Sequence, residues 1–282
     1  MKLAITGTRG TLGTALARQA EAKGHTLLHL NRPEYDITDA AALMRALRSF
    51  KPDVIFHPAA YTNVDGAESE PDLAYSVNAL GTRNLALACM EADAALVYVS
   101  TNMVFWDESR TIPFTELESP SPRGVYALSK RAGEIYVEHL MRRFYIARVS
   151  WLYGKEGDSF VHKIIRAADA RGALSVVVDE IATPTYAEDF AGALLKLMQT
   201  GLYGWYHLVN EGECSRYDYA QEIMRLTGRA HVPITPTALA DYERPAPTAR
   251  YSSLRNSVGK QAGIILRPWQ DALADYLGNA AL

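Results

Sequence analysis

The sequence predicts an α/β chain: a doubly wound, mainly parallel sheet, followed by a smaller region toward the C-terminus. Three observations carry this. From residue 1 to about 152, short apolar runs alternate with stretches whose apolar residues recur three or four apart, the pattern of successive βαβ units. The first of these runs enters a glycine-rich turn that opens at once into a helix. The chain has 282 residues, 48% apolar and 22% charged, enough for one large core or two smaller ones.

In order, strands are predicted at 2–5, 26–30, 54–58, 95–100 and 145–149, rich in Leu, Val, Ile and aromatic residues. Helices over about 12–23, 39–50, 71–91 and 122–142 lie between them, each with an apolar face. A further short strand is expected to end at Asp36-Ile37. Beyond residue 152 the alternation loosens into a helix over 160–171, a strand at 175–178, a helix over 187–198, a strand at 205–209 and a helix over 217–226. From 233 to 247 recurring prolines favour loop or extended chain. The expected division is a first domain over 1–152 and a second region over 153–282, of which about 186–210 returns to the first.

Composition excludes several classes. A formal net charge of -3 gives no excess of Lys and Arg for a polyanion, so no nucleic-acid partner is expected. No apolar run reaches the ~18 residues of a membrane span, so no membrane partner is expected. Met1-Lys2 leads into only Leu3, Ala4 and Ile5 before the polar turn, which does not read as a signal peptide and makes the cytoplasm the default. Cys89 and Cys214 lie far apart without metal-ligand or redox spacing and are read as reduced, inert thiols.

The glycine turn is Gly7-Thr8-Arg9-Gly10-Thr11-Leu12-Gly13. Its glycines permit a tight turn, close approach to a pyrophosphate and close helix packing, while the helix N-terminus favours negative charge. A structural turn could use the same residues. Their place between an N-terminal strand and a helix favours dinucleotide binding and makes the sheet Rossmann-like. An acid at the end of the second strand would hold ribose hydroxyls and repel a 2′-phosphate. Here Leu30 is followed by Asn31 and Arg32. Arg32, with Arg9 of the turn, would pair with that phosphate, favouring NADPH and leaving NADH as the alternative. Solvated surface arginines would read the same way. Asp36 and Ile37 suit an adenine contact, though Asp36 equally suits capping the helix that starts near residue 39.

Tyr126 and Lys130 are four apart on the predicted helix 122–142 and so share one face. A free phenol titrates near ~10, and an ammonium beside it would lower that value. Carbonyl reduction needs such a proton donor at the oxygen. Thr101, at the end of the strand 95–100, would offer a hydroxyl to the same oxygen. The order is what makes the pair informative: glycine turn, then a strand ending in Ser-Thr, then Tyr-x-x-x-Lys.

With these residues in place, the chain resembles the extended short-chain dehydrogenase/reductases and, within them, the dTDP-4-dehydrorhamnose reductases. The resemblance runs over nearly the whole chain. It includes Pro58-Ala59-Ala60-Tyr61-Thr62-Asn63-Val64-Asp65, Ala67-Glu68-Ser69-Glu70-Pro71, Val77-Asn78, Arg148-Val149-Ser150-Trp151-Leu152-Tyr153-Gly154, Ala182-Thr183-Pro184-Thr185, Arg244-Pro245 and Leu266-Arg267-Pro268-Trp269. It implies NAD(P)H-dependent reduction of the 4-keto group of dTDP-4-dehydro-6-deoxy-L-mannose to dTDP-L-rhamnose. Tyr126 is then the proton donor, Lys130 positions the nicotinamide ribose, and Thr101 holds the keto oxygen. Gly10, Thr11 and Leu12 meet the pyrophosphate, Asp36 and Ile37 the adenine, and Pro58, Ala59, Ala60 and Tyr61 the cofactor from the strand 54–58. Val64, Asn102, Trp151 and Arg244 fall on the substrate side, Arg244 as a candidate for the diphosphate. A core aromatic at 151 and a surface ion pair at 244 are the plainer alternatives.

The chain departs from the family pattern in places. Ser-Thr-Asp-Tyr-Val-Phe becomes Ser100-Thr101-Asn102-Met103-Val104-Phe105, which loses a charge and a phenol beside the catalytic strand. Glu180 and Ala182 stand where Gln and Gly are usual. Ala15 replaces a Glu that some members use at a metal-bridged dimer contact, so no metal site is expected and a homodimer stays open. Two alternatives follow: a 4-ketoreductase for a different dTDP-deoxysugar, and a non-catalytic NADP-binding regulatory subunit like that of methionine adenosyltransferase.

Overall fold

The computed structural model describes residues 1–279. The first half alternates Lys2–Thr6 (β1), Thr11–Ala22 (α1), Thr26–Leu30 (β2), Ala40–Phe50 (α2), Val54–His57 (β3), Val64–Ser69 (α3), Pro71–Tyr75 (α4), Thr82–Glu91 (α5), Ala95–Thr101 (β4), Val125–Leu140 (α6) and Phe144–Val149 (β5). There follow Leu152–Tyr153 (β6), Phe160–Arg171 (α7), Leu174–Val177 (β7), Ile181–Ala182 (β8), Thr185–Tyr186 (β9), Ala187–Leu197 (α8), Gly204–His207 (β10), Cys214–Ser215 (β11), Arg216–Leu226 (α9), Ile234–Thr237 (β12), Val258–Gln261 (α10) and Trp269–Asn279 (α11).

Six strands form one parallel sheet in the order β10-β5-β4-β3-β1-β2. Every residue of β3, β4 and β5 is buried, which is why these strands read as apolar runs rather than alternating ones. On one face α1 and α8 pack through Leu12, Leu16, Phe190 and Leu194. On the other, α2, α5 and α6 pack through Leu43, Leu47, Leu85, Cys89 and Val137. The chain runs outward from β1 to β2 and then returns to β3 on the other side of β1. This reversal opens a crevice at the carboxyl edge of the sheet, between the turns that follow β1 and β3. A second core around Val161, Ile165, Tyr219, Ile223, Trp269 and Leu273 holds α7, α9 and α11 together. Among the described residues no helix is long and apolar enough to cross a membrane.

Several elements differ from expectation. No strand ends at Asp36-Ile37: the Asp36 carboxylate accepts from the Thr38 N–H and hydroxyl at 2.9 and 2.8 Å, closing a local turn instead. Asp39, not Asp36, caps α2, accepting from Ala42 N–H at 3.0 Å. The helix expected over 71–91 passes into a π-helical stretch at Ser76–Gly81. There the buried Asn78 amide accepts from Tyr61 N–H at 2.8 Å and donates to Ser129 Oγ at 3.0 Å. α6 starts at Val125 rather than 122, because Gly124 has φ +80° and a Cβ there would lie 2.8 Å from Pro247. Within the proline-rich stretch, β12 still pairs in parallel with β7, with Pro236 opposite Val176 in a two-stranded ribbon whose edges tolerate the missing donor.

Candidate active site

A cleft of about 1030 Å³ runs along the carboxyl edge of the sheet and on to the C-terminal region. All the residues singled out from the sequence line it: Gly7, Arg9, Gly10, Thr11, Leu12, Gly13, Arg32, Asp36, Ile37, Pro58, Ala59, Ala60, Tyr61, Val64, Thr101, Asn102, Tyr126, Lys130, Trp151 and Arg244.

The part of the cleft beside the glycine turn fits a dinucleotide. Gly7 turns the chain with φ +63°, and a Cβ on Gly13 would lie 2.1 Å from the Gly7 carbonyl, so α1 can start this close to β1 only with glycine there. The helix begins at Thr11 behind Gly10, which offers no side-chain cap and leaves the first-turn N–H groups open to an anion. Beyond the turn, Arg9 Nη1 donates to the Arg32 backbone carbonyl at 3.4 Å, and both arginines line the cleft. Asn31 faces inward, donating to Thr8 Oγ1 at 2.7 Å.

The residues expected to be catalytic come from the end of β4 and the first turns of α6. Thr101 is the last residue of β4, and its Oγ1 accepts from Met103 N–H at 3.1 Å. Tyr126 and Lys130 lie one turn apart on α6. Burial pushes the Tyr126 phenol up to about 12, with a hydrogen bond from Thr101 working the other way. The sequence expectation that Lys130 would lower this phenol is therefore corrected: desolvation of the phenolate dominates. Burial lowers Lys130 to about 7, and the negative charge of Glu134 opposes that shift. Lys130 Nζ donates to the Val99 carbonyl at 2.9 Å and sits 4.3 Å from the centre of the Tyr98 ring.

One turn further along α6, the fully buried Glu134 receives two bonds from Arg148 of β5, Nε to Oε1 at 2.8 Å and Nη2 to Oε2 at 2.9 Å. Arg148 also lies 5.0 Å from the Phe105 ring centre and 3.4 Å from His207 Nε2 on β10. This bidentate pair locks the helix that carries Tyr126 and Lys130 onto the sheet. Sequence reasoning did not single it out, although Glu134 continues the four-residue spacing of Tyr126 and Lys130.

On the substrate side, Val64 opens α3 behind the Asn63 cap. The Asn102 amide donates to Ser252 Oγ at 2.8 Å, so it ties the catalytic strand to the C-terminal region. Arg244 donates to Asp65 at 3.0 Å, the surface ion pair named as the plainer alternative, while also lining the cleft. Trp151 has φ +39°, a strained left-handed backbone for a bulky residue. Arg216, Thr248, Trp106 and Arg123 line the same cleft and were missed, and Glu180, noted only as a departure from the family pattern, lines it too. The only sequence signal for Arg216 is its place after Ser215, which forms a capping box with Asp218.

The sequence model of the family described as "RmlD substrate binding domain" matches residues 1–282. The chain is 39% identical to a dTDP-4-dehydrorhamnose reductase of Mycolicibacterium smegmatis, over 97% of this chain and 84% of that protein. It is 34% identical to a protein of Streptomyces antibioticus named as a probable dTDP-4,6-dihydroxy-2-methyloxan-3-one 4-ketoreductase, over 98% of this chain and 94% of that one. Its fold is similar to a crystal structure of dTDP-4-dehydrorhamnose reductase from Bacillus anthracis in complex with NADP, with a TM-score of 0.95, 35% identity and 99% of both chains covered.

Proposed function

The chain belongs to the RmlD substrate binding domain family, and from that premise we propose that it is an NADPH-dependent oxidoreductase that reduces the 4-keto group of dTDP-4-dehydro-6-deoxy-L-mannose to dTDP-L-rhamnose. The observation that carries this reading is the convergence of Thr101, Tyr126 and Lys130 beside an uncapped glycine turn in one cleft. The names of the relatives and the NADP complex of the Bacillus anthracis reductase support the substrate class and the cofactor.

Bound NADPH supplies the hydride that reaches C4 of the sugar. The protein's part is acid catalysis and orientation. A phenol held up to about 12 keeps its proton throughout the neutral range, so Tyr126 is available as donor to the oxygen on which charge develops. Thr101 offers its single hydroxyl hydrogen to the same oxygen. Below about pH 7 Lys130 is an ammonium, and in that form it stabilises the negative charge that develops on Tyr126 one helical turn away. Arg9 and Arg32 favour NADPH over NADH by pairing with the 2′-phosphate.

The test is an absorbance assay at the nicotinamide band with NADPH or NADH and dTDP-4-dehydro-6-deoxy-L-mannose, followed by identification of the sugar. Tyr126→Phe is expected to lower turnover by ~10²–10⁴-fold while leaving the affinity for NADPH unchanged. Unchanged turnover would remove Tyr126 from the mechanism. One observation favours a second reading, a different dTDP-4-keto sugar: Met103 lines the cleft next to Thr101, and the Streptomyces antibioticus relative carries another sugar in its name. Turnover giving a product other than dTDP-L-rhamnose would decide for it.

A further inference from the structure

The C-terminal wall of the cleft holds an arginine whose setting the catalytic centre does not explain. Arg216, the first residue of α9, lies with its guanidinium 3.5 Å from the centre of the Trp151 ring and 5.0 Å from that of Phe160. Its Nε and Nη2 both donate to one oxygen of Glu180, Oε1, at 3.2 and 3.1 Å. Nη1 has no partner among the described residues, and neither has the second oxygen of Glu180. Both side chains are largely buried, 20% and 12% exposed, and both line the cleft. Elsewhere along the cleft the buried hydroxyl of Thr248 also lacks a partner among the described residues.

A planar cation fixed by an aromatic face and satisfied along one edge only is arranged for a second acceptor. Its Glu180 contact is not the fork-to-fork geometry of a finished Arg–carboxylate pair, since both N–H groups crowd onto a single oxygen. An incoming group with several acceptor oxygens would satisfy the free N–H edge. Resting on the reading that the substrate is a nucleoside diphosphate sugar, we propose that Arg216 binds the substrate's diphosphate and that Glu180 is its stand-in partner, displaced when the diphosphate arrives. Trp151 then has a mechanical role. Its strained backbone sets the indole under the guanidinium and fixes the plane in which the anion is met.

This arrangement makes opposite predictions for the two partners of one ion pair. A purely structural pair would lose the same thing from either side, whereas a carboxylate that competes with the ligand should hinder its binding. The experiment is calorimetric titration of the full chain with dTDP and with thymidine, alongside NADPH affinity as a check on folding. Arg216→Gln is expected to weaken dTDP at least ~10-fold, with thymidine and NADPH unchanged, and Arg216→Lys to fall between that variant and the parent. Glu180→Gln is expected to tighten dTDP several-fold. Unchanged dTDP affinity in Arg216→Gln, an equal loss for dTDP and thymidine, or weaker dTDP binding in Glu180→Gln would each overturn the proposal. The titration needs no turnover. A chain that binds dTDP through Arg216 yet reduces no 4-keto sugar would refute the reductase reading alone, and a working reductase with unchanged dTDP affinity in Arg216→Gln would refute this proposal alone.

Discussion

Lys130 is where burial and function pull in opposite directions. A lysine lowered to about 7 by desolvation is protonated below that pH and loses its proton as the pH rises through it. The ammonium is the form that stabilises a phenolate at Tyr126, so kcat/KM should fall on the alkaline side with a limb near 7, far below the ~10.4 of a free lysine. A pH–rate profile that stays flat to about pH 9 would contradict it. His57 and His207 behave differently: burial lowers each to about 3, so both are neutral in the folded chain. His57 bridges Thr6 Oγ1 at 2.9 Å and Thr82 Oγ1 at 3.1 Å. Since the unfolded chain binds these protons from about 6.5 downward, the stability the two histidines contribute is complete above that pH and is lost as the pH falls toward 3. Denaturant midpoints at pH 7 and 4.5 should therefore drop less in His57→Asn than in the parent. At this scale the sequence shows residue types and order but not burial. Tyr126 and Lys130 were legible as a pair, while the direction of the phenol's shift depended on a desolvation that only the fold creates.

Among the elements, α6 carries Tyr126 and Lys130, to which the proposed function assigns the proton chemistry, and one turn on Glu134, which pairs with Arg148. Removing one partner of the buried pair between Glu134 and Arg148 leaves an uncompensated charge, so Glu134→Ala should cost about 3–5 kcal/mol of stability in equilibrium denaturation. The loss should be smaller when Arg148 is replaced by Met as well, because the stranded guanidinium is then gone. The first helix makes a second case. Gly13→Ala would drive a methyl into the Gly7 carbonyl and force α1 away from β1, and the expected outcome in a fluorescence titration is at least ~10-fold weaker NADPH binding. The strands and the long helices were legible because buried parallel strands and amphipathic helices have distinct periods. The π-helical stretch at Ser76–Gly81 was not, since its buried Asn78 finds its partner in Ser129, 51 residues away, which no local pattern shows.

For the whole molecule, the cleft divides by sequence distance. Its cofactor side comes from turns that follow consecutive strands of one sheet, and order along the chain was enough to find them. Elsewhere the cleft joins Trp151, Glu180 and Arg216 from separated segments, and no local pattern announces that they meet. The parallel sheet has a similar dependence on distant chain, because its last strand, β10, pairs with β5 only through residues 204–207. During synthesis, β5 therefore leaves the ribosome more than fifty residues before its neighbour, and waits with an open, apolar edge. Such an edge is a template for pairing with other chains, so the vulnerable period of this protein's life is the interval between translating residue 149 and residue 207. A nascent chain arrested in that interval should be the one that holdase chaperones retain.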